Sequence, residues 1–209
     1  MAQAREGSNA VPGRDPIKEN TIAHEERVQL SVRAERGDAA AQAEMGRIYE
    51  KGNGVTRDPA EALSWYRKAA DQGHAEAQTL LGQIYAKGHG VDRNMATAVS
   101  WYRRAALQGE HRAQSFLGLA IMKGEGVKGD DVEALMWFTL ASAGNEPMEG
   151  FWSRKIILAR MSQEQIAESK KCALRFVPQK ETAGIPPPIP MPEAKPEVVG
   201  DGVMMQPSP

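Results

Sequence analysis

Apolar residues in this chain fall at helical spacing, in blocks that return. Within residues 39–51, Ala41, Met45, Ile48 and Tyr49 recur every three or four positions among Glu, Arg and Gln. That spacing predicts an amphipathic helix over Ala39–Lys51 with one buried stripe. Gly52 then stops the helix as a left-handed residue, Gly54 permits a second tight bend, and Val55 tucks back as an apolar plug. A second helix starts at Asp58, where Asp58-Pro59-Ala60-Glu61 supplies a cap, a proline at the first helical position and an acidic third one. Its apolar face is Ala62, Leu63, Trp65, Tyr66, Ala69 and Ala70.

The pair of helices repeats. Gly37, Gly73 and Gly109 are 36 residues apart, and Ala41/Ala77/Ala113, Gln42/Gln78/Gln114 and Gly46/Gly82/Gly118 keep the same step. The loop Lys51-Gly52-Asn53-Gly54-Val55 returns at Lys87–Val91 and Lys123–Val127, and Trp65, Trp101 and Trp137 close the units. Asn94 and Asp130 take over the cap of Asp58. A fixed period of this length predicts an all-α solenoid of helix-turn-helix repeats, here 37–72, 73–108 and 109–144, each a helix A followed by a helix B. Gly46, Gly82 and Gly118 lie inside helix A, where glycine costs about 1 kcal/mol against alanine. Their return predicts a close approach by a neighbouring helix that a Cβ would block.

The ends depart from the period. Residues 1–17 read as a disordered lead and 178–209 as a disordered proline-rich tail, with Pro186-Pro187-Pro188 favouring polyproline II. The folded region is then 18–177. Residues 21–36 read as an N-terminal capping helix, with Thr21 as its N-cap and Gly37 as its end. Residues 146–176 read as two capping helices, Glu146–Arg160 and Gln163–Phe176, joined at Met161-Ser162, with Ser162 and Gln165 as a capping box. One step beyond Gly118 stands Arg154, so the tight helix contact is abandoned there.

Charge and composition narrow the chemistry. The net charge is −1 without a basic stripe, which argues against a nucleic-acid groove or an anionic lipid surface. No apolar run is long enough to span a membrane, and the N-terminal residues lack the apolar core of a signal peptide, so a cytoplasmic location is expected. Cys172 is the single cysteine and forms no internal disulfide.

The residues quoted for the repeats resemble the Sel-one-like repeats, relatives of the tetratricopeptide repeats. The resemblance rests on A-x-x-x-G in helix A, the K-G-x-G-V loop, the Asp/Asn cap and A-x-x-W-Y/F-x-x-A-A. It covers three full units, residues 37–144. The 34-residue tetratricopeptide repeat proper fits less well, because of the longer period and the G-x-G loop. The closing helices, with Met161-Ser162-Gln163-Glu164-Gln165-Ile166-Ala167, are similar to a terminal segment of bacterial members. The resemblance implies a right-handed α/α superhelix and a role in holding partners together. A cysteine-rich branch of the family is linked to penicillin binding or β-lactamase activity, and this chain lacks its disulfide in every repeat.

Sites of chemistry are weak by comparison. The G-x-G pairs follow a helix and lack the preceding strand of a phosphate loop, so they read as turns. His24, His74, His89 and His111 share no metal-ligand spacing, and no metal or cofactor is expected. Cys172 reads as a packed small residue, although the adjacent Lys171 would lower its pKa. The serine–lysine motif set of acyl-serine β-lactamases is missing. Recurrent Trp and Tyr at repeat spacing read as core. The proline tail reads as a solubilising segment or as a ligand for an aromatic groove.

What changes between repeats is more informative. Helix A differs at Ala43/Thr79/Ser115, Glu44/Leu80/Phe116, Arg47/Gln83/Leu119 and Glu50/Ala86/Met122. Offsets of 3, 4 and 7 place these on one helix face. Constant positions hold the array, so this face is expected to read a protein or peptide partner in a concave groove running from charged to apolar. For Phe116, Leu119 and Met122 a second reading stands, in which they pack under the C-terminal cap. The chain is therefore expected to be a non-enzymatic scaffold. A hydrolase of β-lactam or peptidoglycan-like substrates and a secreted bacterial effector are the alternatives.

Overall fold

The computed structural model describes residues 16–144 and 147–180. Of the lead and tail expected to be disordered, residues 1–15 and 181–209 lie outside the described residues, whereas residues 16 and 17 belong to the first helix. All nine described elements are helices: α1 (Pro16–Glu35), α2 (Ala39–Lys51), α3 (Pro59–Asp71), α4 (Ala75–Lys87), α5 (Met95–Leu107), α6 (His111–Lys123), α7 (Asp131–Ala141), α8 (Met148–Arg160) and α9 (Gln163–Arg175). Helices α2, α4 and α6 are the three helices A, and α3, α5 and α7 the helices B. Each packs on its sequence neighbours, which builds the expected all-α superhelix of stacked pairs.

Local chemistry sets the helix ends. Asp58, Asn94 and Asp130 accept hydrogen bonds from the first free N–H groups of α3, α5 and α7. Asp38, His74 and Glu110 do the same for α2, α4 and α6. At the other end Gly52, Gly88 and Gly124 take positive φ of 76°, 73° and 67° and cap the helices A in the left-handed conformation. The Ser162–Gln165 capping box of α9 is complete.

The interior glycines sit where the next helix crosses. A Cβ at Gly46 would lie 2.5 Å from the Tyr66 ring, and one at Gly82 would lie 2.5 Å from Cδ1 of Tyr102. At Gly118 the nearest atom, Cε1 of Phe138, would be 3.0 Å away. The aromatic of helix B therefore rests against the glycine of its own helix A. Burial of Tyr66, Tyr102 and Phe138 follows directly.

Between units the recurring glutamines form a buried relay. Nε2 of Gln42, Gln78 and Gln114 donates to the carbonyls of Ala34, Ala70 and Ala106 at the end of the preceding helix, at 3.0, 3.1 and 3.2 Å. Those carbonyls are among the last four of a helix and lack intrahelical partners. Gln72 and Gln108 donate in turn to Oε1 of Gln42 and Gln78. The relay ends at the third unit. Gly144 stands one step beyond Gln108, and a Cβ there would collide with the His111 ring. His111 Nδ1 lies 3.3 Å from Gln114 Oε1 instead.

Several expectations are corrected. Helix α1 begins at Pro16, so Thr21 lies within it and not at its N-terminus. The helix reaches the core through Leu30 and Ala34. Trp65 and Trp137 are buried, but Trp101 is only half-buried, with the Arg104 guanidinium 4.4 Å from its ring centre. The chain after α9 also stays on the fold. Phe176 stacks edge-on against Trp137 at 5.7 Å, and Gln179 N–H donates to Leu107 O at 3.0 Å. Leu107 replaces the Asp71 of the first unit and is buried. An apolar residue has appeared where this returning strap crosses.

Candidate functional site

The twelve residues of the variable helix A face divide by environment. Ala43, Thr79 and Ser115 are buried. Thr79 Oγ1 donates to Glu110 Oε2 at 2.8 Å, and that carboxylate also accepts from Ala113 N–H at 2.5 Å as the cap of α6. Thr79 therefore joins neighbouring units, and burial closes all three positions to a partner. Helix A is sandwiched between its own helix B and the preceding one, so its buried arc is wider than a single stripe.

In the first unit the charged members are engaged within the fold. Arg47 pairs with Glu44 at 2.7 Å and with Glu76 of the next helix A. These carboxylates hold its pKa above the ordinary value despite the opposing effect of burial. Glu50, though exposed, accepts from Tyr66 Oη at 2.8 Å. Burial and this carboxylate push the Tyr66 phenol well up. Glu44 borders a depression of about 650 Å³ shared with Glu26, Arg27 and Leu30 of α1. It is thus separated from the residues of the later units.

The later units form a groove. Gln83 and Ala86 of α4 face Phe116 and Leu119 of α6 across a cavity of about 580 Å³. Leu80 and Met122 pack instead as half-buried residues on the core. Phe116 and Leu119 pack on the core cluster and also line this cavity. The Phe116 ring lies 5.3 Å from that of Tyr102. Burial pushes the Tyr102 phenol up strongly.

Sequence comparison of the repeats missed the rest of the lining. Met95 and Tyr102 of α5 form its floor, and Lys87, Arg93 and Arg112 add positive charge. Glu125 and Glu149 are its acids, and Arg93 lies 4.0 Å from Glu125. Arg112 was findable, because the aligned positions Ala40, Glu76 and Arg112 vary as much as the four chosen. Met95 and Tyr102 were hidden because they stand on helix B, read as core alone. A groove with an apolar floor and a charged rim suits a peptide or a protein segment.

Other candidate chemistry dissolves. Among the described residues no three His, Cys, Asp or Glu side chains are placed to hold a metal ion. Burial and the Glu168 carboxylate push the Cys172 thiol up, contrary to the lowering expected from the lysine beside it. No described helix is long and apolar enough to cross a membrane.

Comparison with known proteins follows this geometry. The Sel1 repeat family model matches residues 39–74, 75–110 and 111–146, more than half of the chain. The crystal structure of a Sel1 repeat protein from Oxalobacter formigenes is 37% identical, with a TM-score of 0.57, over 62% of this chain and 96% of that one. A protective antigen of uropathogenic Escherichia coli displaying an SLR fold is 24% identical over 72% of this chain and 48% of its own, with a TM-score of 0.41. A stretch of 41 residues, 20% of this chain, is 46% identical to the secretory immunoglobulin A-binding protein EsiB of Escherichia coli O6:H1. That stretch spans 8% of EsiB. Proteins built from Sel1 repeats are generally scaffolds for protein interaction and are typically non-catalytic. Three tandem units with their glycine-capped loops, glycine–aromatic contacts and family match make this chain a member of the Sel1 repeat family.

Proposed function

We propose that this protein is a non-catalytic scaffold that holds a segment of another protein in the groove between α4 and α6. The observation that carries the reading is the position of Phe116 and Leu119. Both are apolar, both stand where the repeats differ, and both remain half-exposed over a floor of Tyr102 and Met95. Thr79 also differs between units but is buried, whereas Phe116 and Leu119 differ and stay partly uncovered. Uncovered apolar groups beside cations favour a ligand with its own apolar anchors. EsiB, named for binding an immunoglobulin, supports a protein as the class of ligand.

The experiment is affinity capture from native lysate with the full chain and with Leu119→Asp, followed by titration of the purified captured protein. Saturable binding that Leu119→Asp weakens by about tenfold or more, with helical content unchanged, supports the groove. Equal binding by the folded variant would refute it. Arg47→Glu is a poorer probe than the sequence suggested, since Arg47 bridges two units through Glu76.

A further inference from the structure

Helix α8 keeps the register of the repeats although its sequence has drifted. Gly150, Ser153 and Ile157 are buried, and so are the residues one 36-residue step earlier, Gln114, Leu117 and Ile121. The groove-lining residues Arg112, Phe116 and Ala120 of α6 therefore correspond to Met148, Trp152 and Ile156 of α8. These three are 69%, 55% and 57% exposed. They lie four residues apart on one ridge of the helix, about 6 Å between steps. Pro147 and Glu149, on either side of Met148 in the chain, already line the groove. The apolar stripe thus begins at the groove's rim.

Cations accompany it. Lys155, in the register position of Leu119, lies 5.1 Å from the Trp152 ring and 4.8 Å from that of Phe151. Among the described residues, no carboxylate is within ion-pair distance of Arg112 or Lys155. The bidentate Arg160–Asp131 pair anchors the far end of α8 to α7, so the stripe is presented on a fixed helix.

We propose that Met148, Trp152 and Ile156, with Lys155 and Arg112 beside them, form a docking face for an amphipathic helix of another protein carrying acidic residues next to its apolar stripe. A ridge at four-residue spacing fits the furrow between side-chain rows of a second helix. The unpaired cations select acidic over basic flanks. This deepens the scaffold reading and rests on it, because the face continues the same groove.

The test uses the full chain and a designed helical peptide of about five turns. Leucines occupy one stripe and glutamates the other face, and a control peptide carries lysines in place of the glutamates. Labelled peptide is titrated by anisotropy, and tryptophan emission is followed in parallel. The acidic peptide is expected to bind about tenfold tighter than the basic one, with a blue shift of emission that Trp152→Phe removes. Trp152→Ala weakens binding about tenfold, and Lys155→Glu erases the preference for acid. Equal affinity for the two peptides, or unchanged binding by Trp152→Ala, overturns the proposal. So does concentration-dependent self-association that Trp152→Ala abolishes, which would give the face to a second copy. Peptide binding that depends on Trp152 but ignores Leu119→Asp upholds the α8 face and refutes the groove. Capture that depends on Leu119 but ignores Trp152→Ala does the reverse.

Discussion

Gly82→Ala sets two physical effects against each other. In an exposed helix the change stabilises by about 1 kcal/mol, since alanine loses less backbone freedom on folding than glycine. Here the new Cβ would meet Tyr102 Cδ1 at 2.5 Å, where ordinary contact begins at 3.4 Å, so the ring must withdraw by roughly 1 Å. Its room is limited: Tyr102 is buried, and the Phe116 ring stands 5.3 Å away on the groove side. Overpacking of this kind costs about 1–3 kcal/mol and occasionally more; a contact at 2.5 Å belongs in the upper part of that range, about 2–3 kcal/mol, so the clash prevails by about 1–2 kcal/mol net. For a chain of this size that lowers Tm by about 2–8 °C. Thermal and urea unfolding by circular dichroism would read it. Gly118→Ala, with its nearest contact at 3.0 Å, should cost less. A double variant with Tyr102→Leu should recover part of the loss, with a coupling above about 0.5 kcal/mol. A neutral or stabilising Gly82→Ala would show that helix crossing is not why glycine recurs there.

Two further outcomes follow from burial. Trp137→Ala should cost about 3–5 kcal/mol, while Trp101→Ala, at a half-exposed ring, should cost about 1–2 kcal/mol, measured by the same unfolding curves. Equal losses would refute the difference in packing. Tyr66 and Tyr102 both have phenol pKa values raised in the fold, chiefly by burial. Because the folded values exceed the unfolded one near 10, this contribution is complete below about pH 10 and is lost as pH rises beyond it. Urea midpoints should therefore fall steeply above pH 10, and Tyr102→Phe should flatten that decline. An unchanged slope would refute it.

Repetition made much of the fold legible. Helix α2 runs over Ala39–Lys51 as the spacing of Ala41 and Met45 indicates, and Asp58 caps α3 as its proline-flanked sequence suggests. Those signals are local, and every copy restates them. What escaped was tertiary. Thr79 looked like a free variable residue, but its hydroxyl finds Glu110 thirty-one positions later. Trp101 looked like Trp65 and Trp137, although what covers each ring belongs to other segments. The groove itself was half legible: Phe116 and Leu119 stood out by differing between copies, whereas Tyr102 and Met95 stand on the helix assigned wholly to the core.

The strap at Phe176–Gln179 changes how this array comes apart. Stacked repeats ordinarily touch only their neighbours, so an end unit can peel away and leave the others standing. Here Phe176 rests on Trp137 of α7 and Gln179 bonds the Leu107 carbonyl at the end of α5, so α9 cannot lift off without breaking contacts with both helices. The C-terminal half is consequently expected to melt as one block, and during synthesis that block would close only once Phe176 and Gln179 have been added.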